Sequence, residues 1–133
     1  METLGIGRLA KLAGVPIDTV RHYERIGLLK PSGRLASGYR RYGEAEFKRL
    51  RFIRRAKALG FTLEEIQSLL ALSAGDDVEQ IRRATTAHLA DIERRVGELV
   101  RVRDSLRKLV DACPGHGRAE DCPILNALAG DDS

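Results

Sequence analysis

Arg21-His22-Tyr23-Glu24-Arg25-Ile26-Gly27-Leu28-Leu29, with Ser37-Gly38-Tyr39-Arg40-Arg41-Tyr42 close behind it, is the stretch that decides the fold. Its first part reads as a helix that carries Arg21 and Tyr23 and stops at Gly27, since a residue without a Cβ commonly ends a helix. The chain then makes a turn-rich excursion over residues 31–42 with short extended arms, and it returns bearing Tyr39 and Arg40. Cationic and aromatic side chains thus stand both on a helix and on the loop that follows it. That chemistry suits a partner with a charged backbone and flat, hydrogen-bonding edges.

Working outward, Ile6, Leu9, Ala10 and Leu12 mark one face of a first helix, which Thr3 is placed to cap and Gly14 to end. Pro16 stands where a second helix begins, with Asp18 and Thr19 in its first turn. Two short helices joined by a tight glycine-containing turn form a helix-turn-helix, and residues 31–42 are its wing. This winged helix-turn-helix predicts Arg21 and Tyr23 of the recognition helix, and Arg34, Tyr39 and Arg40 of the wing, as DNA contacts. Arg21 and Tyr23 lie two apart, so one is expected at the bases and the other at a phosphate. Tyr42 is expected in the core. Beyond the wing, Glu44 opens a third helix to about Leu59, with Gly60 as its stop. Thr62-Leu63-Glu64-Glu65 fits a capping box for a short fourth helix ending near Ser73.

Charge divides along the chain. Residues 1–60 hold 14 Lys/Arg against 5 Asp/Glu, a net +9, whereas residues 61–133 hold 9 against 14, a net −5. A basic lobe followed by an acidic one points to a polyanion at one end only. Lys48, Arg51, Arg54, Arg55 and Lys57 add positive field to that end. No apolar run approaches the roughly 20 residues of a membrane span, no signal peptide is visible, and the two cysteines are too few for a disulfide scaffold; the cytoplasm is the expected compartment. No nucleophile–base set or phosphate loop is apparent, so an enzyme is not expected.

From Asp77 to Ala112 there is no Pro and a single Gly, Gly97. Apolar or small residues recur at 78, 81, 85, 92, 96, 99, 102, 106 and 109, at helical spacing. A helix of roughly 50 Å results. The chain has too little material to cover its apolar stripe, so the stripe is expected to meet a second copy as a coiled coil. The organisation expected is residues 1–74 as the DNA-binding lobe, 75–112 as a dimerisation helix, and 113–133 as a terminal loop with a short helix.

That last segment contains Cys113-Pro114-Gly115-His116-Gly117-Arg118-Ala119-Glu120-Asp121-Cys122-Pro123-Ile124-Leu125. Pro114 disfavours helical geometry at Cys113 and so ends the long helix. Pro123 suits the first position of a closing helix over 124–129, with Cys122 at its cap. A thiol there is easier to deprotonate, and thiolate is the metal-binding form. The pair admits three readings: inert buried cysteines, a disulfide switch, or a clamp for a soft cation. His116 is a possible further ligand in the loop.

The pattern R-x-Y-E-x-x-G-L-L with S-G-Y-R-x-Y resembles the MerR family of bacterial transcription regulators along nearly the whole chain. The C-P-G…D-C-P-I-L loop is similar to the metal-sensing branch, especially its copper-efflux regulators. The resemblance implies a homodimer joined by an antiparallel coiled coil, a near-palindromic promoter site, and metal ligands at Cys113 and Cys122. It implies repression without metal, and activation of a detoxification promoter when bound metal leads to DNA distortion that RNA polymerase can read. Relatives that take divalent ions add a third thiolate at a place that falls near Val78 here, and Val offers none. Two thiolates alone favour Cu(I), Ag(I), Au(I) or Hg(II), with Cu(I) expected first. Zn(II), which prefers four donors, Pb(II), Cd(II) and a thiol redox response are the alternatives.

Overall fold

The computed structural model describes residues 3–34, 37–38 and 40–130, with only the backbone at Arg40. Six helices and a two-stranded sheet follow one another: α1 (Ile6–Ala13), α2 (Ile17–Arg25), β1 (Gly33–Arg34), β2 (Arg40–Arg41), α3 (Glu44–Ala58), α4 (Leu63–Ser73), α5 (Val78–Ala112) and α6 (Pro123–Leu128). A single 3-10 turn at Ala119–Asp121 precedes α6. Two compact units result, Met1–Arg82 and Arg83–Ser133. The division falls inside α5.

In the first unit, α1 and α2 meet at the turn around Gly14, whose left-handed φ of 73° lets its N–H turn back onto the Ala10 and Lys11 carbonyls. Leu9, Ala10 and Ala13 of α1 are buried with Val20 and Tyr23 of α2, and α3 closes over them with Leu50, Ile53 and Ala56. Ile66 of α4 completes the core from the far side. The expected cap at Thr3 is corrected: α1 begins at Ile6 after Gly5. Leu4 exchanges both backbone hydrogen bonds with Tyr42, at 2.7 and 2.8 Å, and this extended pairing delays the helix.

Antiparallel β1 and β2 pair Gly33 with Arg41 and Arg34 with Arg40, and form the wing. Tyr42 is fully buried at its base, as its apolar ring and position predict. Glu46 accepts the Gly43 N–H at 2.8 Å to start α3. Thr62 and Glu65 cap α4 reciprocally, at 2.9 and 3.1 Å. Each of these bonds meets a donor that the first helical turn leaves open.

No residue of the 35-residue α5 is buried. Leu89, Val96, Leu99, Val102, Leu106 and Val110 are all more than half exposed. In the second unit α5 ends at Ala112, and α6 starts at Pro123 after Cys122, close to the expected register. No helix among the described residues is long and apolar enough to cross a membrane.

Candidate nucleic-acid interface and thiol pair

Arg21 projects from α2 with its side chain 58% exposed and only a loose contact, 3.8 Å, to Asp18. Such a pair in water contributes little, about 0–1 kcal/mol, and leaves Arg21 available to another anion. Tyr23 is placed differently from expectation. It is only 8% exposed and belongs to the core, and burial pushes its phenol above the ordinary value. Its carbonyl also accepts the N–H groups of Leu28 and Leu29. Its ring therefore packs instead of being displayed for base contact. The i, i+3 spacing with buried Val20 was the signal for this.

In the wing, the Arg34 guanidinium donates to the Gly38 carbonyl at 3.1 Å and ties the tip. The Arg40 backbone lies in β2 opposite Arg34. Tyr39 and the Arg40 side chain lie outside the described residues.

Several basic residues of α3 hold the helix-turn-helix together. Arg54 Nη1 donates to the Ala13 carbonyl at 3.2 Å, at the C-terminal end of α1, where a cation complements the helix dipole. Arg49 Nε donates to the Leu28 carbonyl at 2.5 Å, just past α2. Tyr42 Oη donates to Glu24 Oε1 and joins the wing base to α2. Lys48 pairs with Glu44 at 3.3 Å, and the Arg51 guanidinium stacks over Phe47 at 5.6 Å. Arg54, expected only to add field, is thus also a bracket. Arg49 and Glu24 were not anticipated, because their partners come from distant parts of the chain.

In the second unit, Cys113 follows α5 with its N–H bonded to the Val110 carbonyl at 3.2 Å. Cys122 opens α6, and its carbonyl accepts the Asn126 N–H at 3.0 Å. Left-handed Gly115 and Gly117, with φ of 81° and 107°, let the intervening loop fold back. Both cysteines are free and half-buried. The backbone N–H of Leu125 is the main cause that holds the Cys122 thiol below its ordinary range. Desolvation opposes this, while the Ile124 N–H and a hydrogen bond with Cys113 add to it. The two cysteines thus stand at either end of the loop before α6, and the Cys122 thiol is biased towards thiolate. This donor set fits a soft ion of low coordination number. Among the described residues no three His, Cys, Asp or Glu side chains gather into a metal-holding group. His116 is exposed in the loop between the two cysteines. Glu120 is engaged by Arg118 at 3.1 Å.

A winged helix-turn-helix head with an exposed helix-borne Arg, continued by a long uncovered helix, defines a DNA-binding regulator. The chain belongs to the family of MerR HTH regulatory proteins: the family's pattern matches residues 4–73, and that of the MerR DNA-binding region matches residues 47–109. This is a family of DNA-binding regulators, not of enzymes. The chain is 40% identical to the HTH-type transcriptional regulator HmrR of Sinorhizobium medicae, covering 95% of this chain and 86% of the relative. It is 37% identical to the mercuric resistance operon regulatory protein of Shigella flexneri, over 98% and 91% of the two chains. Among solved structures, a transcription regulator of Ralstonia metallidurans in complex with lead(II) superposes with a TM-score of 0.81 at 35% identity, over 94% of this chain and 98% of that one.

Proposed function

We propose that the protein is a homodimeric, metal-responsive regulator of a metal-detoxification promoter in the cytoplasm. In this reading the winged heads hold promoter DNA through Arg21, Arg34, Tyr39 and Arg40, the uncovered stripe of α5 pairs with that of a second copy, and Cys113 and Cys122 hold a soft ion. Residues 1–74, 75–112 and 113–133 serve as reader, dimer rod and sensor. The observation that supports the sensing role is the pair of free, half-buried cysteines that bracket the glycine-containing loop before α6. Relatives named for mercury and crystallised with lead support metal sensing as a class.

Within that class a two-sulfur site favours monovalent Cu(I), Ag(I) or Au(I), then linear Hg(II), over Zn(II), Pb(II) or Cd(II), which take more donors. The chain's own contribution is to place the two cysteines at either end of the loop, to bias Cys122 towards thiolate through the Leu125 and Ile124 N–H groups, and to order the loop between them. Coupling to the promoter requires the two states of the dimer to differ in affinity for the ion. Repression without metal gives way to activation through DNA distortion that RNA polymerase reads. Two free thiols at either end of one short loop also favour a second reading, a disulfide switch.

Transcription from the chain's own promoter region, reconstituted with RNA polymerase under anaerobic reducing conditions, tests this. Cu(I) is expected to raise transcript with wild-type protein and not with Cys113→Ser or Cys122→Ser. Induction by an oxidant without added metal would favour the disulfide reading instead.

A further inference from the structure

The wing contains a glycine whose smallness serves a neighbour. Gly33 faces Arg41 across the two strands. A Cβ at Gly33 would lie 2.9 Å from Arg41 Nη2 and 3.5 Å from its Cζ and Nε. Backbone conformation does not demand glycine here, since Gly33 is not among the residues with positive φ. The space is kept for the Arg41 guanidinium, which lies over the bare Cα.

That guanidinium is also unusual in its bonding. Arg41 Nε is buried and meets no acceptor, the one such side-chain nitrogen or oxygen among the described residues. A buried donor left unmet opposes folding, and a partly desolvated cation binds an incoming anion more strongly than a fully hydrated one. The neighbouring Arg34 guanidinium, by contrast, is already engaged with the Gly38 carbonyl.

We infer that Arg41 is a preset phosphate-binding residue of the wing, with Gly33 as the clearance that fixes its guanidinium. The ligand is a phosphodiester of duplex DNA, and the inference rests on the DNA-binding reading above. An Arg fork suits a phosphate better than a point-charge ammonium does.

The test measures affinity for a short duplex of mixed sequence across a range of salt concentrations, for the full-length protein and its variants. Each phosphate neutralised contributes about 0.9 to the slope of log affinity against log salt. Arg41→Gln removes one contact from each subunit, so the slope is expected to shrink by about 1.8 per dimer. Gly33→Ala pushes the guanidinium aside and should shrink the slope in the same direction. Added to Arg41→Gln, Gly33→Ala should change nothing further, the signature of two residues acting as one. Arg41→Lys should restore part of the slope.

A role confined to folding would lower stability in urea and leave the slope of the remaining folded protein unchanged. An Arg41→Gln slope equal to a steep wild-type slope overturns this inference alone. A wild type whose binding does not depend on salt overturns the DNA-binding reading, and this inference with it.

Discussion

Leu99 stands on the uncovered stripe of α5 and is 67% exposed, so its fate depends on what a second copy covers. Leu99→Ala removes three carbons, each worth about 0.8 kcal/mol when fully buried. Only the exposed two-thirds remains for a partner to cover, which leaves about 1.6 kcal/mol per subunit. Both subunits carry the change, so dimerisation should weaken by about 3 kcal/mol, on the order of a hundredfold in Kd at 1.4 kcal/mol per tenfold. Sedimentation velocity of fluorescently labelled protein, diluted through the nanomolar range, reads this directly. Arg101→Ala is the control, because Arg101 lies about 200° around the helix from Leu99 and should leave Kd within threefold. Equal Kd values for wild type and Leu99→Ala, or equal losses in both variants, would refute the assignment of the stripe to the dimer.

Three further outcomes follow from the geometry. Tyr42→Phe deletes the hydroxyl bonded to Glu24 and should lower head stability by about 1–2 kcal/mol in urea titration, with weaker operator binding; unchanged values would show that this link does not hold the wing to α2. Thr62→Ala removes the oxygen that receives the Glu65 N–H and should cost about 1 kcal/mol, read in the same titration, whereas Thr62→Ser should cost little. In the metal-free reduced protein, Cys122 should alkylate at lower pH than an ordinary thiol, because its thiolate is favoured by the Leu125 N–H. A lowered native pKa means that the associated stability is complete above the ordinary thiol value of about 8.5 and disappears as pH falls through the native one. Leu125→Pro, which removes that N–H, should move the Cys122 alkylation midpoint upward, and Leu125→Ala, which keeps it, should not; peptide mapping of iodoacetamide adducts distinguishes them.

The features legible in the sequence are those set by local backbone rules. Gly14, the Thr62 cap and the Cys122-Pro123 helix start each follow from a residue's own conformational or hydrogen-bonding preference, and the structure has all three. What the sequence did not disclose was set by distant partners. Arg54 reaches a carbonyl 41 residues away and Arg49 one 21 residues away, and no local pattern distinguishes such brackets from a solvated basic face. Tyr23 looks like a DNA-facing aromatic until α1 and α3 are packed around it. Thr3 is a good cap by type, but the strand pairing of Leu4 with Tyr42 overrides it.

The sensing role stands or falls on Cu(I) uptake by the reduced protein, measured anaerobically in competition with a chromophoric Cu(I) chelator. One tightly held ion per subunit, lost in both Cys113→Ser and Cys122→Ser and retained in His116→Ala, is the predicted result. Equal Cu(I) retention by wild type and the two serine variants would contradict it.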